Sequence, residues 1–196
     1  MEFDQNYWEH HWHQAHPGAP APHPYLARET SSLIPGTALD AGCGTGAEAV
    51  WLASHGWQVT AADISAAALA RAAERPAAQN VRWVQADLTT WRPDLRFDLV
   101  TTHYAHPAMP QLAFYQRISD WVAPGGTLLI VGHLHSSAAP GHGHHPPAEA
   151  AVKLADITAS LDSAQWYIAT AEEHARTVSE HPRQDVVVRA TRRSGR

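Results

Sequence analysis

Three acids, three glycines and a run of imidazoles carry the chemistry that this chain can do. In Leu39-Asp40-Ala41-Gly42-Cys43-Gly44-Thr45-Gly46 the glycines alternate. That spacing lets the backbone turn tightly and approach a ligand with no Cβ in between. Asp40 stands two positions before the first glycine, where a strand should end. A carboxylate there suits a positively charged ligand better than a pyrophosphate. Gly42, Gly44 and Ala47 also satisfy the looser dinucleotide spacing, so the glycines alone leave both readings open. The run 58–62 ends at Asp63, 23 residues after Asp40, and an acid at the tip of a second strand is placed to accept hydrogen bonds from a ribose diol. The run 81–86 ends at Asp87, whose carboxylate could bind an adenine amino group. A fourth segment, Thr102-His103-Tyr104-Ala105-His106-Pro107, brings two imidazoles and a phenol to one strand exit. Groups of that kind can take a proton from an incoming nucleophile.

Positioning these groups requires alternating strands and helices. Strands are expected at 37–41, 58–62, 81–86, 97–103 and 127–132, and helices near 46–55, 65–75, 110–123 and 147–162. Ser65 is a natural cap for the second helix, with alanine-rich sequence behind it. Strands alternating with helices of this length imply parallel pairing through right-handed crossovers. The segments 165–171 and 184–191 have no helix between them and should pair as an antiparallel hairpin. Residues 13–24 and 136–147, rich in Pro, Gly and His, read as loops. In such a sheet, ligands bind outside the carboxyl ends of the strands, where Asp40, Asp63, Asp87 and the 101–106 segment all lie.

Five motifs in register resemble the class I S-adenosylmethionine-dependent methyltransferases. LDAGCGTG resembles their glycine-rich motif, VTAADIS their ribose motif and VQADL their adenine-contacting motif. FDLVTTHYAHP and WVAPGGTLLIVGH resemble the fourth- and fifth-strand motifs. The resemblance spans residues 37 to 133. It implies a Rossmann-like fold, a mostly parallel seven-stranded sheet with helices on both faces and a C-terminal antiparallel hairpin. It also implies S-adenosylmethionine as methyl donor and S-adenosylhomocysteine as product. The implied cofactor set is Asp40, Gly42, Cys43, Gly44, Gly46, Asp63, Ile64, Asp87, Leu88, Thr102 and His103. Asp40 would support the amino group, Asp63 the ribose hydroxyls, and Ile64, Asp87 and Leu88 the adenine.

Acceptor-side residues are read from the strand exits. His106 and Tyr104 lead, His133 follows at the end of the fifth strand, and His11 of the arm completes the candidate set. Strand alternation would point His103 and Ala105 away from Thr102 and Tyr104, provided the strand runs that far. Residues 1–30 read as an aromatic, His-rich arm or lid ahead of a core at 31–196, the whole forming one methyltransferase domain. Tyr7, Trp8, Trp12 and Tyr25 could close over the cofactor and exclude water, or staple the arm to the sheet edge. With the glycine motif, the arm resembles small bacterial tellurite-resistance and thiopurine methyltransferase-like proteins. These usually open Trp-acid-acid-Arg-aromatic. Here the stretch is Trp8-Glu9-His10-His11-Trp12, so His11 replaces the arginine and a fixed positive charge is lost.

Histidine is the anomaly of composition, 15 residues against a single lysine. His10, His11, His13, His16 and His23 lie in the arm; His133, His135, His142, His144 and His145 lie in and beside the His-rich loop 133–147. Three convergent imidazoles suffice for a divalent metal, yet the spacing follows no zinc signature and the one cysteine, Cys43, forms no pair. No metal site is therefore predicted, and a solvated loop is the simpler reading. A net charge of −5 with dispersed arginines shows no nucleic-acid footprint. No apolar run approaches the ~20 residues that span a membrane, and the acidic MEFDQ start shows no secretory signal, which suggests a cytoplasmic protein. The expected partner is a small-molecule acceptor with sulfur, selenium, nitrogen or oxygen as nucleophile. Three alternatives stand beside this: a metal-assisted methyltransferase, a non-catalytic His-rich binding or regulatory module, and a nicotinamide-dependent enzyme.

Overall fold

A computed structural model describes residues 3–15, 18, 20–134, 152–178 and 181–195, with the side chains of 177, 178 and 181–183 left out. The expected loop 136–147 and the first residues of the expected helix at 147–162 lie outside the described residues. Seven strands form one sheet: β1 (Thr37–Ala41), β2 (Gln58–Asp63), β3 (Val81–Gln85), β4 (Phe97–His103), β5 (Val122–His133), β6 (Trp166–Val178) and β7 (His181–Arg192). Their order is β3-β2-β1-β4-β5-β7-β6. The first five pair in parallel, β7 runs antiparallel to β5, and β6 closes the edge antiparallel to β7. The mostly parallel sheet and its reversed terminal hairpin are thus those anticipated from the residues.

The central strand β1 shows why the pairing is parallel. Ala38 to Ala41 are all buried, as a strand covered on both faces requires. One face is packed by Phe114, Tyr115 and Ile118 of α5 (Gln111–Ser119) and Ile157 of α6 (Leu154–Ser160). The other is packed by Leu26 of α2 (Pro24–Thr30), Ala49 and Leu52 of α3 (Ala47–Ser54) and Leu69 of α4 (Ala66–Ala73). Ser65 caps α4 as expected, its hydroxyl accepting from Ala68 N at 3.1 Å.

Three local differences bear on the site. The arm carries two helices, α1 (Gln5–Gln14) and α2, in a stretch partly read as loop; Asp4 caps the first by accepting from Tyr7 N. β5 starts at Val122 rather than after the Pro-Gly-Gly turn, because Val122 already pairs with Phe97 and the register resets at Thr127 opposite Leu99. Pro124–Gly126 is therefore an irregularity inside the strand. Finally, β4 stops at His103, and Tyr104 takes a left-handed φ of 54°. That turn breaks the alternation, so Tyr104 packs on the same face as Leu99 while Ala105 joins the opposite core.

Candidate active site

The carboxyl ends of β1, β2 and β4, roofed by α1, enclose a cavity of about 400 Å³, within the range of small-ligand pockets. Its floor is the glycine turn. Gly42 and Gly46 have φ of 78° and 75°, where L side chains are strained. A Cβ on Gly42 would stand 2.2 Å from the Ala105 methyl, so the turn must be bare to let the strand-4 exit close in. Gly46 is different. It does not line the cavity, and its missing side chain makes room for Trp83 and Ala72.

Acidic groups surround the floor. Asp40 is 1% exposed; burial, with Glu48 and Asp63 nearby, pushes its pKa well above the ordinary carboxylate value. Its Oδ2 has no hydrogen-bond partner among the described residues. An acid left in this state favours a ligand that brings a positive charge. Asp63 takes Gly44 N at 2.8 Å and Ser65 N at 2.9 Å, which ties the glycine turn to the start of α4. Burial nevertheless outweighs those bonds and raises its pKa. Ile64 and Leu88 line the same wall beside Asp87. Asp87 Oδ1 is engaged by Thr89 N and Oγ1 at 2.8 and 2.7 Å, a turn role that also aims the carboxylate. Cys43 lines the floor as a thiol, its pKa raised by burial and by Asp40 and Asp63.

Of the remaining anticipated cofactor residues, His103 lines the cavity and Thr102 does not. Thr102 lies on the opposite face of β4, and its hydroxyl donates to the Ala41 carbonyl at 2.8 Å. It braces β1 against β4 instead of facing the cavity.

On the acceptor side the cavity gathers His106, Tyr104 and His11. His133 stands just behind, its ring centroid 4.7 Å from Tyr104 and 5.4 Å from His106. Gln111 orients His106. The amide Nε2 donates to the Ala105 carbonyl at 2.9 Å, which turns Oε1 toward His106 Nδ1 at 3.2 Å. Nδ1 must then carry the proton, leaving the lone pair on Nε2. Burial lowers the His106 pKa, opposed by the Gln111 bond, so the ring is neutral near pH 7. Tyr104 is held differently. Its hydroxyl receives Arg176 Nη2 at 3.2 Å and lies 3.4 Å from His23 Nε2. Burial, reinforced by Asp185, raises its pKa, so it stays a phenol. Behind it, the Arg176 guanidinium pairs with the fully buried Asp185 carboxylate.

The arm is docked by polar as well as aromatic contacts. Trp8 Nε1 donates to the His106 carbonyl at 3.1 Å, and Trp12 lies over Gly44. Glu9 reaches the start of α4, accepting from Ser65 Oγ, Ala66 N and Ala67 N at 3.0, 2.7 and 3.0 Å. Arg71 and Arg75 donate to the Ala15 and Pro20 carbonyls and hold the arm's far end. Sequence reasoning missed Glu9, Gln111 and the Arg176–Asp185 pair, whose roles rest on contacts distant in the chain. It also missed Glu48 as a lining acid. One signal was available for that residue, an acid in the first turn of the helix after the glycines.

Residues 38–126 match the methyltransferase domain family. An uncharacterized methyltransferase of Mycobacterium tuberculosis is 39% identical over 108 residues, covering 54% of this chain and 55% of that protein. Thiocyanate methyltransferase 1 of Arabidopsis thaliana is 36% identical over 110 residues, 53% of this chain and 48% of that protein. The chain thus spans about half the length of these relatives. Among solved structures, N-methyltransferase NodS of Bradyrhizobium japonicum with S-adenosylhomocysteine superposes with a TM-score of 0.71 at 17% identity, covering 96% of this chain and 97% of that one. The donor set fits S-adenosylmethionine: an orphaned buried carboxylate for a cation and an acid at the end of β2 for a ribose. Over residues 38–126 the chain is thus similar to the methyltransferase domain family, and its seven-stranded sheet has the fold of a solved N-methyltransferase.

Proposed function

We propose that the protein methylates a small-molecule nucleophile within the cavity under α1, and that a small thiol is the acceptor class. Bound S-adenosylmethionine supplies an electrophilic methyl group on a sulfonium. Asp40, Asp63 and Asp87 hold the cofactor's amino group, ribose and adenine. Phe3, Trp8 and Trp12 exclude water and press the acceptor into line. His106 Nε2 takes the proton that a thiol loses as it attacks. Tyr104 is a positioned wall, because a phenol with a raised pKa does not serve as base.

The observation that carries this reading is the cavity wall itself. On the acceptor side it is built of aromatic rings and imidazoles, and it contains no Lys or Arg among the described lining residues. Such a wall supports a soft, weakly hydrated nucleophile better than an acceptor that must be clamped through a carboxylate. The thiocyanate methyltransferase relative supports a sulfur nucleophile. Among the described residues no three His, Cys, Asp or Glu side chains are placed to hold a metal ion. His135, His142, His144 and His145 lie outside the described residues, so chelation belongs in the test.

The experiment is transfer of labelled methyl from S-adenosylmethionine to a panel of small thiols, amines, phenols and carboxylates, with and without exhaustive chelation. Labelled thioether that survives chelation supports the proposal. Methylation confined to amines or carboxylates overturns the acceptor class. Loss on chelation, restored by one metal, supports the metal-assisted alternative instead.

A further inference from the structure

Among the described residues only Ala77 and Tyr104 carry a positive φ without being glycine, and Tyr104 stands at the strand exit that forms the acceptor side. A left-handed tyrosine is strained and persists only where its surroundings over-determine it. Three groups do so here. The Tyr104 N–H donates to the Val131 carbonyl at 2.9 Å, one further bond toward β5. Its hydroxyl receives Arg176 Nη2 at 3.2 Å, and the guanidinium carbon lies 5.6 Å from the ring centre. His23 is the third. Burial and Arg176 lower its pKa, so the ring is neutral, and its Nδ1 accepts from Tyr25 N at 3.4 Å. The proton therefore sits on Nε2, 3.4 Å from the same hydroxyl. Two donors occupy the phenol oxygen, and its own proton is left for Asp185.

The left-handed turn has a consequence for the base. It sets Ala105 against Gly42 and places the Ala105 carbonyl on Gln111, whose Oε1 holds His106 Nδ1. Asp185 is fully buried, and in the β5–β7 register it lies opposite His133. Arg176 binds it through both Nε and Nη2. A buried ion pair gains little net stability, because desolvation offsets the attraction. Stability alone does not explain this pair; its aim at the Tyr104 hydroxyl does.

We propose that Arg176 and Asp185 are positioning residues for methyl transfer: they clamp the Tyr104 hydroxyl, hold the left-handed turn after β4 and so aim His106 at the acceptor. This rests on the reading of His106 as the base and deepens it. Neither residue is among those that line the cavity. The C-terminal hairpin nevertheless belongs to the acceptor side, through the turn that it fixes. General-base transfer needs hydrogen-bond reach, so a small rotation of residues 104–106 is felt in kcat.

The test combines steady-state kinetics, using the best acceptor from the panel above, with nitrogen-15 NMR of the His106 ring in the full chain. The double variant Arg176→Met, Asp185→Leu replaces the pair by apolar side chains and should hold or raise Tm. Its kcat should fall by about tenfold or more, the scale of a small misplacement. KM and the affinity for S-adenosylhomocysteine should stay within about threefold. The wild-type ring should show a single tautomer with the proton on Nδ1, and the double variant shifts averaged between the two tautomers. Arg176→Lys, which keeps the charge but not the fork, should retain part of the rate. Tyr104→Phe removes only the clamped hydroxyl and should reproduce both effects; it decides the matter if the double variant does not fold. An unchanged kcat or an unchanged His106 spectrum overturns the proposal. Equal losses in kcat, S-adenosylhomocysteine affinity and Tm overturn it too, since the pair is then merely structural. A wild-type chain that methylates no thiol overturns the acceptor class instead, and the His106 spectrum still decides the clamp.

Discussion

Gly46→Ala separates two reasons for a glycine in the cofactor loop. The residue has φ of 75°, and an added Cβ would lie 2.4 Å from Trp83 Cη2, 2.9 Å from Trp83 Cζ3 and 3.0 Å from Ala72 Cβ. The indole cannot swing away freely, because its Nε1 donates to the Ala78 carbonyl at 3.1 Å. A left-handed alanine costs ~1–2 kcal/mol, and an overpacked methyl a further ~1–3 kcal/mol. A loss of about 3 kcal/mol is therefore expected, which in a chain of this size lowers Tm by about 6–12 °C. Because Gly46 does not line the cavity, the folded variant should keep its affinity for S-adenosylhomocysteine within about threefold, less than the loss of one hydrogen bond to a charged group. Thermal unfolding followed by circular dichroism, with calorimetry well below the transition, reads both quantities. Trp83→Leu on the same background opens the space, and the double mutant should recover about 1 kcal/mol or more of coupling. A Tm within about 2 °C of wild type, or an affinity that collapses while Tm holds, would refute the packing argument.

Three further outcomes follow from the same geometry. Glu9→Ala removes the carboxylate that accepts three hydrogen bonds at the start of α4, while Ser65 keeps its own cap. About 1 kcal/mol of arm docking should be lost, seen as faster proteolytic cleavage between the arm and β1; unchanged cleavage would mean that the aromatic contacts suffice. Burial, with Glu48 and Asp63, raises the pKa of Asp40, so the free protein gains stability from its protonation at low pH and loses that gain as pH rises through the folded value. A cationic ligand favours the ionised form, so S-adenosylhomocysteine affinity should increase with pH above the ordinary carboxylate range, releasing up to about one proton; calorimetry in buffers of different ionisation enthalpy measures this, and proton uptake would contradict it. Arg176→Met leaves the fully buried Asp185 without its guanidinium and should cost about 3 kcal/mol in denaturant unfolding, whereas a loss under about 1 kcal/mol would show that Asp185 finds another partner.

The base proposed at His106 carries its own pH signature. Burial lowers its pKa from the ordinary histidine value, so the acid limb of kcat/KM for a thiol acceptor should fall below about 6.5. Gln111→Leu removes the group that selects the Nδ1–H tautomer. It should lower kcat more than it raises KM.

Local chemistry made much of this protein legible from its residues. The alternation of strands and helices, the cap at Ser65, and the acids closing β1 and β2 all follow from nearest-neighbour rules: strand pleat, glycine freedom and helix capping act over a few residues. The approximate boundaries of β1 to β4 followed for the same reason, and so did the reversed hairpin, since two strand-like runs without a helix between them can pair only antiparallel. Contacts across the chain decided the rest. Gly46 belongs to the packing of Trp83 and Thr102 to the seam between β1 and β4, because which side of a strand meets the cavity depends on where the sheet's neighbours lie. Tyr104 escapes simple alternation because the chain turns left-handed once β4 ends. Glu9 at the start of α4, Arg176 on Asp185 and the orphaned atoms of Asp40 and His103 emerge only when distant segments are brought together. Partnership between polar groups is a property of three-dimensional distance and burial, and separation along the chain does not encode it.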